Sequence, residues 1–112
     1  MLEITAITAD FSVAPQIDAS DVAAVKAKGF ATLINNRPDN EHGSGQALSA
    51  DIAKQAQACG LHYVFLPVVP GQFTDEQVQA MARALQDSPK PILAFCRSGS
   101  RSTNLFYMAI SG

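Results

Sequence analysis

The sequence predicts an α/β fold in which helices cover both faces of a mostly parallel central sheet. Short apolar segments alternate with longer segments whose apolar residues recur every three to four positions, a pattern typical of strands alternating with helices. Three of the predicted helices also end at a glycine or a proline before the next apolar segment begins. A chain that alternates in this way usually places its strands parallel and uses the helices as crossovers.

The first half of the chain contains strand and helix signals in turn. The predicted elements are strands over residues 2–6 and 10–14, a helix to about Lys28, a strand over 30–35, a helix over about 46–59 and a strand over 62–66. The first two strands alternate only loosely, so we expect them at the sheet edge. Asp18 or Ser20 can cap the first helix, and Gly29 and Gly60 can end the two helices.

The third helix has the clearest start signal in the chain. Thr74 and Gln77 have the spacing of a capping box, and Phe73 and Val78 stand at the hydrophobic-staple positions around it. The apolar stripe that continues from Val78 to Leu85 is expected to face the core. Pro89 and Pro91 end this helix.

The last strand and helix frame the most informative segment. Ile92–Phe95 is a short, wholly apolar run of the kind found in central strands. The helix that ends the chain should bury Leu105, Met108 and Ala109. Because ligands of parallel sheets bind beyond the carboxyl ends of the strands, the residues between this strand and this helix are the candidate site.

Composition excludes several classes of function. The 112 residues fit one domain, spanning residues 1–112, and carry 8 Lys+Arg against 10 Asp+Glu, a net charge of −2. No basic cluster is present, so nucleic acid is not an expected partner. No apolar run is long enough for a membrane span or a secretory signal, and two cysteines are too few for a disulfide framework. We therefore expect a cytoplasmic protein that does not bind membranes.

The segment Cys96–Ser102 combines a nucleophile with groups that favour anions. A loop that joins a strand to a helix can turn backbone N–H groups toward one point, and Gly99 allows it to curl tightly. That field should favour the Cys96 thiolate. Arg101 can hold an oxyanion through two parallel hydrogen bonds, and Ser102 can donate to the thiolate when it leaves. Cys96 and Arg101 are therefore the candidate catalytic residues, although a cysteine at a strand end can also be a small buried hydrophobe.

Other polar residues are weaker candidates. Arg97 either points into solvent or recruits an anionic substrate, and Arg37 follows a strand end from which it could face the same pocket, with Asp39 holding it in place. The candidate substrate-binding residues are Arg97, Ser98, Gly99, Ser100, Ser102 and Arg37.

The histidines and the second cysteine have simpler interpretations. His42 and His62 lack the spacing of metal ligands, so no metal is expected, and His62 should pack against its neighbours as a hydrogen-bonded side chain. Cys59 lies on a helix stripe and should be a packing residue, the alternative being a resolving thiol. The Gly43–Gly45 run is expected to be a flexible loop.

The Cys96–Ser102 segment resembles the active-site loop of rhodanese-type sulfurtransferases, in which cysteine opens and arginine closes a six-residue loop. It is also similar to the signature of protein tyrosine phosphatases. That signature has five residues between cysteine and arginine, whereas this chain has four, and it usually has a histidine where Phe95 stands.

A wider resemblance covers nearly the whole chain. The segments Asp10–Val13, Gln16–Ile17, Asn36–Asp39 and Leu66–Val68, with the cysteine loop, resemble the bacterial beta-lactamase hydrolase-like family. This resemblance implies a dual-specificity-phosphatase-like fold. Members can be fused to persulfide dioxygenases or to sulfide:quinone oxidoreductases, which implies work on sulfane sulfur and suggests these enzymes as partners.

The choice of reaction depends on a general acid. The resemblance implies that phosphatases of this fold use an aspartate on a loop, yet the corresponding Pro67–Gln72 contains no acid, and Asp75 and Glu76 lie in the first turn of a helix, where acids complement its dipole. Transfer of sulfane sulfur needs no such acid. The sequence therefore favours a cofactor-free sulfurtransferase that takes sulfur from thiosulfate or glutathione persulfide as a Cys96 persulfide. The alternatives are a phosphatase with a phosphocysteine intermediate and a non-enzymatic sulfur-relay module.

Overall fold

The chain alternates strands and helices from one end to the other. A computed structural model describes residues 2–41 and 45–111. A short 3-10 turn (Ala19–Asp21) precedes the first helix. The elements are β1 (Thr5–Ala6), β2 (Phe11–Ala14), α1 (Val22–Ala27), β3 (Thr32–Asn35), α2 (Ser49–Cys59), β4 (His62–Phe65), α3 (Asp75–Asp87), β5 (Ile92–Phe95) and α4 (Ser100–Ser111).

The five strands form one sheet in the order β1-β2-β5-β3-β4. β1 runs antiparallel to β2, and all the other neighbours are parallel. Ile92, at the start of β5, pairs with Phe11 on one side and with Thr32 on the other, so β5 lies at the centre of the sheet. The carboxyl ends of β2, β5, β3 and β4 therefore meet at one edge, and the predicted fold class is confirmed.

Helices cover both faces of the sheet. Along β5, Ile92 and Ala94 face an apolar cluster that includes Met81 of α3 and Leu105 of α4. Leu93 and Phe95 face a second cluster, to which α1 and α2 contribute Val22, Val25, Ile52 and Ala56. Each large side chain that is fully buried in these clusters contributes about 1.5–3 kcal/mol of transfer free energy. The two clusters fix the central strand, and with it the start of the cysteine loop.

Local signals in the helices are confirmed. The Gln77 N–H donates to Thr74 Oγ1 (3.1 Å), and the Thr74 N–H donates to Gln77 Oε1 (2.9 Å), which completes the predicted capping box at the start of α3. Gly60, which ends α2, has a φ of 81°, a left-handed conformation that favours glycine. None of the described helices is long and apolar enough to span a bilayer.

Four local predictions are wrong. β2 is an interior strand between β1 and β5, and even its polar residue Ser12 is buried. α2 begins at Ser49 and not near residue 46. His62 is exposed on the edge strand β4 instead of packed. On α4, Met108 is exposed and Phe106 is buried in its place, stacked on Phe11 at a centroid distance of 4.2 Å.

Candidate active site

The candidate site lies where the parallel strands end. The Cys96 N–H donates to the carbonyl oxygen of Ala14, the last residue of β2 (3.4 Å), and the Asn36 N–H donates to the carbonyl oxygen of Phe95 (2.9 Å). These bonds continue the sheet pairing by one residue beyond β5 and β3. The loops after three strands are therefore held side by side, in the position where parallel α/β sheets bind ligands.

The cysteine loop, residues 96–101, curls back on its own sulfur. The Gly99 N–H donates to Cys96 Sγ (3.1 Å), and α4 begins at the next residue. Gly99 has a φ of 95°, and a Cβ there would lie 3.6 Å from the Ala14 carbonyl oxygen, an ordinary contact. Glycine is therefore favoured by the backbone conformation and not by a lack of space. The sulfur thus accepts a backbone N–H bond immediately before the start of a helix.

Arg101 is buried beside this loop and binds a carboxylate from a distant loop. Its Nη1 donates to Glu41 Oε2 (3.0 Å) and to the carbonyl oxygen of Val68 (3.0 Å), and its Nη2 donates to Glu41 Oε1 (3.1 Å). The end of the guanidinium thus makes a bidentate ion pair within the protein. The sequence predicts that Arg101 holds an oxyanion through two parallel N–H groups. In the structure, the two parallel N–H groups of Nη1 and Nη2 already donate to Glu41.

A second pair of donors on Arg101 is left over. A guanidinium has five N–H groups, and the three bonds above use both hydrogens of Nη1 and one of Nη2. The Nε–H and the remaining Nη2–H lie along one edge of the plane and point the same way. Nε is buried and has no hydrogen-bond partner among residues 2–41 and 45–111. We call the Nε–H and this Nη2–H the side edge of Arg101.

Arg37 is buried and belongs to the same network. Its Nε donates to Glu41 Oε1 (2.9 Å), and its Nη1 donates to Gln16 Oε1 (2.9 Å). We call Gln16, Arg37, Glu41 and Arg101 the arginine cluster. These two bonds use two of the five N–H groups of the Arg37 guanidinium. A role of Arg37 in binding substrate therefore stays a prediction.

The charge of Glu41 follows from its two arginine partners. Burial acts to raise the pKa of its carboxyl group, but hydrogen bonds and charge from Arg101, and then from Arg37, outweigh it and hold the pKa below its ordinary value. Glu41 is therefore ionised at neutral pH, and a carboxylate in that state accepts hydrogen bonds but donates none.

Two further predictions about polar side chains are corrected. Asp39 does not hold Arg37: its Oδ1 accepts the Ser49 N–H (2.7 Å) and so caps the start of α2. The Ser102 hydroxyl donates to Asn36 Oδ1 (2.9 Å) and not to the Cys96 sulfur. The Asn36 amide in turn donates to the carbonyl oxygen of Leu66 (3.0 Å). Ser102 and Asn36 are fully buried, so this pair ties α4 to the ends of β3 and β4.

The exposed face of the cysteine loop borders a cavity of about 660 Å³. The loop contributes Arg97, Ser98, Ser100 and Arg101 to its lining, and the facing wall includes Phe73, Tyr107 and Met108. Cys96 does not line this cavity and is 1% exposed, so the sulfur lies beneath the loop surface. The side chains of Arg97, Ser98 and Ser100 are exposed, whereas Gly99 and Ser102 are buried.

The remaining candidates lie apart from the loop or outside the described residues. Cys59 is half-buried against the second apolar cluster at the end of α2, which precedes the amino end of β4, whereas Cys96 follows the carboxyl end of β5. Asp75 and Glu76 are exposed in the first turn of α3. No group of three metal-ligating side chains occurs in the described residues. His42, Gly43 and Ser44 lie outside them.

Sequence reasoning missed Glu41, Gln16 and the side-chain role of Asn36. The spacing of Arg37 and Glu41, four residues apart with opposite charges, is the one local signal that could have found Glu41. A buried arginine needs a charged or carbonyl partner, and this requirement also points to an acid near Arg37. Nothing in the local sequence indicates that the same acid reaches Arg101, sixty residues away.

Solved structures share this fold. A Neisseria meningitidis protein provisionally assigned as a phosphatase superimposes with a TM-score of 0.81 at 24% identity, covering 90% of this chain and 71% of that one. P. aeruginosa TpbA, solved in complex with pTyr, gives a TM-score of 0.63 at 20% identity, covering 92% of this chain and 58% of that one. These likenesses confirm the predicted dual-specificity-phosphatase-like architecture.

Sequence relatives and a family model identify the family. An Agrobacterium fabrum protein described as a beta-lactamase hydrolase-like protein is 30% identical over 97 residues, 87% of this chain and 22% of that protein. A Xylella fastidiosa protein of the same description is 28% identical over 108 residues, 96% of this chain and 25% of that protein. The chain thus spans about a quarter of the length of these curated relatives. The family model for the phosphatase-like domain of beta-lactamase hydrolase-like proteins matches residues 3–112, and the chain belongs to that family.

Proposed function

We propose that this chain is a cysteine-dependent phosphatase domain with Cys96 as its nucleophile. The observation that carries the proposal is the bond from the Gly99 N–H to Cys96 Sγ at the start of α4. Arg101, the second residue of that helix, keeps its Nε–H without a partner among the described residues. A cysteine sulfur that accepts a backbone N–H bond at the start of a helix is placed where a nucleophile could attack a phosphoryl group. The matched family, described as phosphatase-like, supports the same reaction.

The reaction has two balanced steps. In the first, the Cys96 thiolate attacks phosphorus, a P–S bond forms, and the P–O bond of the ester breaks with its electron pair on the leaving oxygen. In the second, water attacks the phosphocysteine, the P–S bond breaks, and inorganic phosphate leaves as the thiolate returns. In both steps Arg101 and the loop N–H groups would bind the phosphoryl oxygens, whose charge is spread in the transition state.

The leaving group must depart without a proton from a carboxylic acid of the site. Glu41 is the one carboxylate that pairs with the site arginines in the described residues, and it is ionised because its pKa is lowered. Esters of acidic alcohols, such as aryl phosphates, should therefore react much faster than alkyl phosphates. The cavity of about 660 Å³ beside the loop has room for the organic part of such an ester.

Transfer of sulfane sulfur is the second candidate. The four residues between Cys96 and Arg101 and the absence of an acid from Pro67–Gln72 both favour it. The thiolate would attack the outer sulfur of thiosulfate, the S–S bond would break, and sulfite would leave; an acceptor thiolate would then take the terminal sulfur from the persulfide. A persulfide dioxygenase or a sulfide:quinone oxidoreductase is the proposed partner in this case. The matched family is described as phosphatase-like, the Neisseria meningitidis structure is described as that of a phosphatase, and P. aeruginosa TpbA was solved in complex with pTyr. These descriptions support the phosphatase, so the order of the two hypotheses is reversed.

Turnover measured side by side decides between the candidates. The purified chain is assayed with p-nitrophenyl phosphate, glycerol phosphate, thiosulfate plus cyanide, and glutathione persulfide, with no partner present. We expect phosphate release from the aryl ester, about a hundredfold less from the alkyl ester because no acid assists departure, and none from Cys96→Ser. Cys59→Ser is the matched control and should keep full activity. Turnover of the sulfur donors alone would reverse the assignment, and no turnover of any substrate would favour a non-enzymatic relay.

A further inference from the structure

We propose that the cavity beside the cysteine loop accepts an amphipathic phosphate monoester, with its phosphate at the loop and an apolar body larger than one aromatic ring. Tyr107 and Met108 of α4 are then the residues that determine specificity. This inference rests on the proposed function, and it names the class of substrate for the same site.

The size of the cavity indicates a large organic group. Its volume is about 660 Å³, whereas a cavity of about 150 Å³ is enough to hold a benzene molecule. Sites for drug-sized ligands typically measure about 300–1,000 Å³. The single ring of a simple aryl phosphate would therefore leave most of this cavity unfilled.

The polarity of the cavity changes along α4. Ser100 and Asn104 line it near the start of the helix, and Tyr107 and Met108 line it farther along. These four positions are spaced by three or four residues, so they lie on one side of the helix. Because a helix rises about 1.5 Å per residue, the apolar end of the cavity lies about 10 Å beyond the cysteine loop. An ester whose apolar group extends about that far from its phosphate matches both ends.

The apolar side of the cavity is anchored in the core. Phe73, in the segment between β4 and α3, packs against the first apolar cluster. The Tyr107 ring lies edge-on to the buried ring of Phe106, at a centroid distance of 5.5 Å. The bond from Arg101 Nη1 to the Val68 carbonyl oxygen joins α4 to the segment that contains Phe73. The cavity is therefore largely preformed, which lowers the entropic cost of binding a ligand there.

The two sides of the cavity offer different contacts to a ligand. On the apolar side, Tyr107 is 51% exposed and Met108 is 44% exposed. On the loop side, Arg97 and Arg101 are the charged lining residues, and no carboxylate lines the cavity within residues 2–41 and 45–111. An amphipathic anion would cover apolar surface at one end and meet positive charge at the other. A neutral apolar molecule would gain only the first contact, and inorganic phosphate only the second.

A pair of substrates with matched leaving groups isolates the contribution of the apolar body. The esters p-methylphenyl phosphate and p-butylphenyl phosphate release phenols of nearly equal acidity, and they differ by three CH₂ groups. Full burial of one CH₂ group corresponds to about a fourfold gain in binding. We expect kcat/KM to be at least about tenfold higher for the butyl ester. The gain should come from a lower KM, because a group remote from phosphorus binds equally in the ground state and the transition state.

Serine substitutions in the apolar wall should reduce this preference. In Tyr107→Ser and in Met108→Ser, the ratio of the two kcat/KM values should fall to about threefold or less, because the alkyl group meets less apolar surface. Met108→Leu keeps an apolar side chain and should retain the ratio. Ile110→Ser is the matched control: Ile110 is 58% exposed on the same helix but lines a different cavity, so its ratio should equal that of the wild type. Circular dichroism verifies the fold of each variant.

Binding of matched phosphonates separates this inference from the proposed function. In p-methylbenzylphosphonate and p-butylbenzylphosphonate a CH₂ group replaces the bridging oxygen, so neither is hydrolysed, and calorimetry on the full chain gives their dissociation constants. Tighter binding of the butyl compound, reduced in both serine variants, supports the inference even if no ester turns over; in that case the phosphatase assignment alone fails. Equal binding of the two compounds, no binding of either, or a ratio unchanged in both serine variants would overturn the inference. Turnover of both esters at equal kcat/KM would overturn it while leaving the proposed function intact.

Discussion

The cysteine loop and the arginine cluster meet at one site but are built in different ways. The cysteine loop is six consecutive residues whose parts contact one another locally, as in the bond from the Gly99 N–H to Cys96 Sγ. The arginine cluster joins Gln16, Arg37, Glu41 and Arg101, whose bonds link residues up to sixty positions apart. Arg101 belongs to both.

This difference means that the cysteine loop determines which groups are present at the site, whereas the arginine cluster determines how one of them is oriented. In the proposed reaction the loop supplies the nucleophile and the N–H donors, and this chemistry can be inferred from residue types alone. The cluster supplies no reacting atom; it determines which edge of the Arg101 guanidinium is available. A substitution in the loop should therefore remove the reaction, whereas a substitution in the cluster should weaken it by disturbing an orientation.

Two lysine substitutions test this separation most strongly. Lysine keeps the positive charge but lacks the planar fork. In Arg101→Lys the side edge is lost, so kcat/KM for an aryl phosphate should fall about a hundredfold or more. In Arg37→Lys one ion pair to Glu41 can persist, so the fall should be about tenfold or less. Steady-state kinetics on both variants, with circular dichroism to verify the fold, give the comparison; equal losses would mean that Arg37 itself contacts the substrate.

The dependence of stability on pH gives a smaller effect that isolates the cluster. The folded-state pKa of Glu41 is lowered from its ordinary value of 4.5, so its ion pairs stabilise the fold above that pH, and this stability is lost as the pH falls through the folded-state pKa. Urea unfolding of the wild type and of Glu41→Gln should give a difference in unfolding free energy that is constant near neutral pH and shrinks below about pH 4.5. A difference that persists unchanged into strong acid would show that Glu41 gains nothing from its arginine partners.

Local signals in the sequence predict much of the fold but not the lateral neighbours of each strand. The Thr74–Gln77 capping box and the end of α2 at Gly60 depend on a few adjacent residues, so they could be predicted. The interior position of β2 could not, because alternation reports which face of a strand is buried and says nothing about what pairs with its sides. On α4, Leu105 and Ala109 fit a stripe with either Phe106 or Met108, and only the stacking of Phe106 on Phe11 selects between them.

The residues of the site also differ in how far the sequence alone predicts their roles. One short segment contains Cys96, Gly99 and Arg101 in a recognisable order, so these residues could be found from the sequence. The role of Glu41 could not, because it depends on the fold that brings this residue to Arg101. Which N–H groups of Arg101 are left without a partner among the described residues also depends on that contact, and residue types alone do not reveal it. Ser102 illustrates the converse: its place after Arg101 suggests a donor to the thiolate, but the fold gives its hydroxyl to Asn36.

The most direct test of the account is the mass of the peptide that contains Cys96 after brief reaction and acid quench. With an aryl phosphate we expect an added mass of about 80 Da by elemental composition, the phosphocysteine formed when the thiolate attacks phosphorus. Cys59 should stay unmodified, and Cys96→Ser should show no adduct. An added mass of about 32 Da after thiosulfate, removed by a reducing thiol, together with no adduct and no phosphate release from the aryl ester, would contradict the phosphatase assignment and establish sulfur transfer instead.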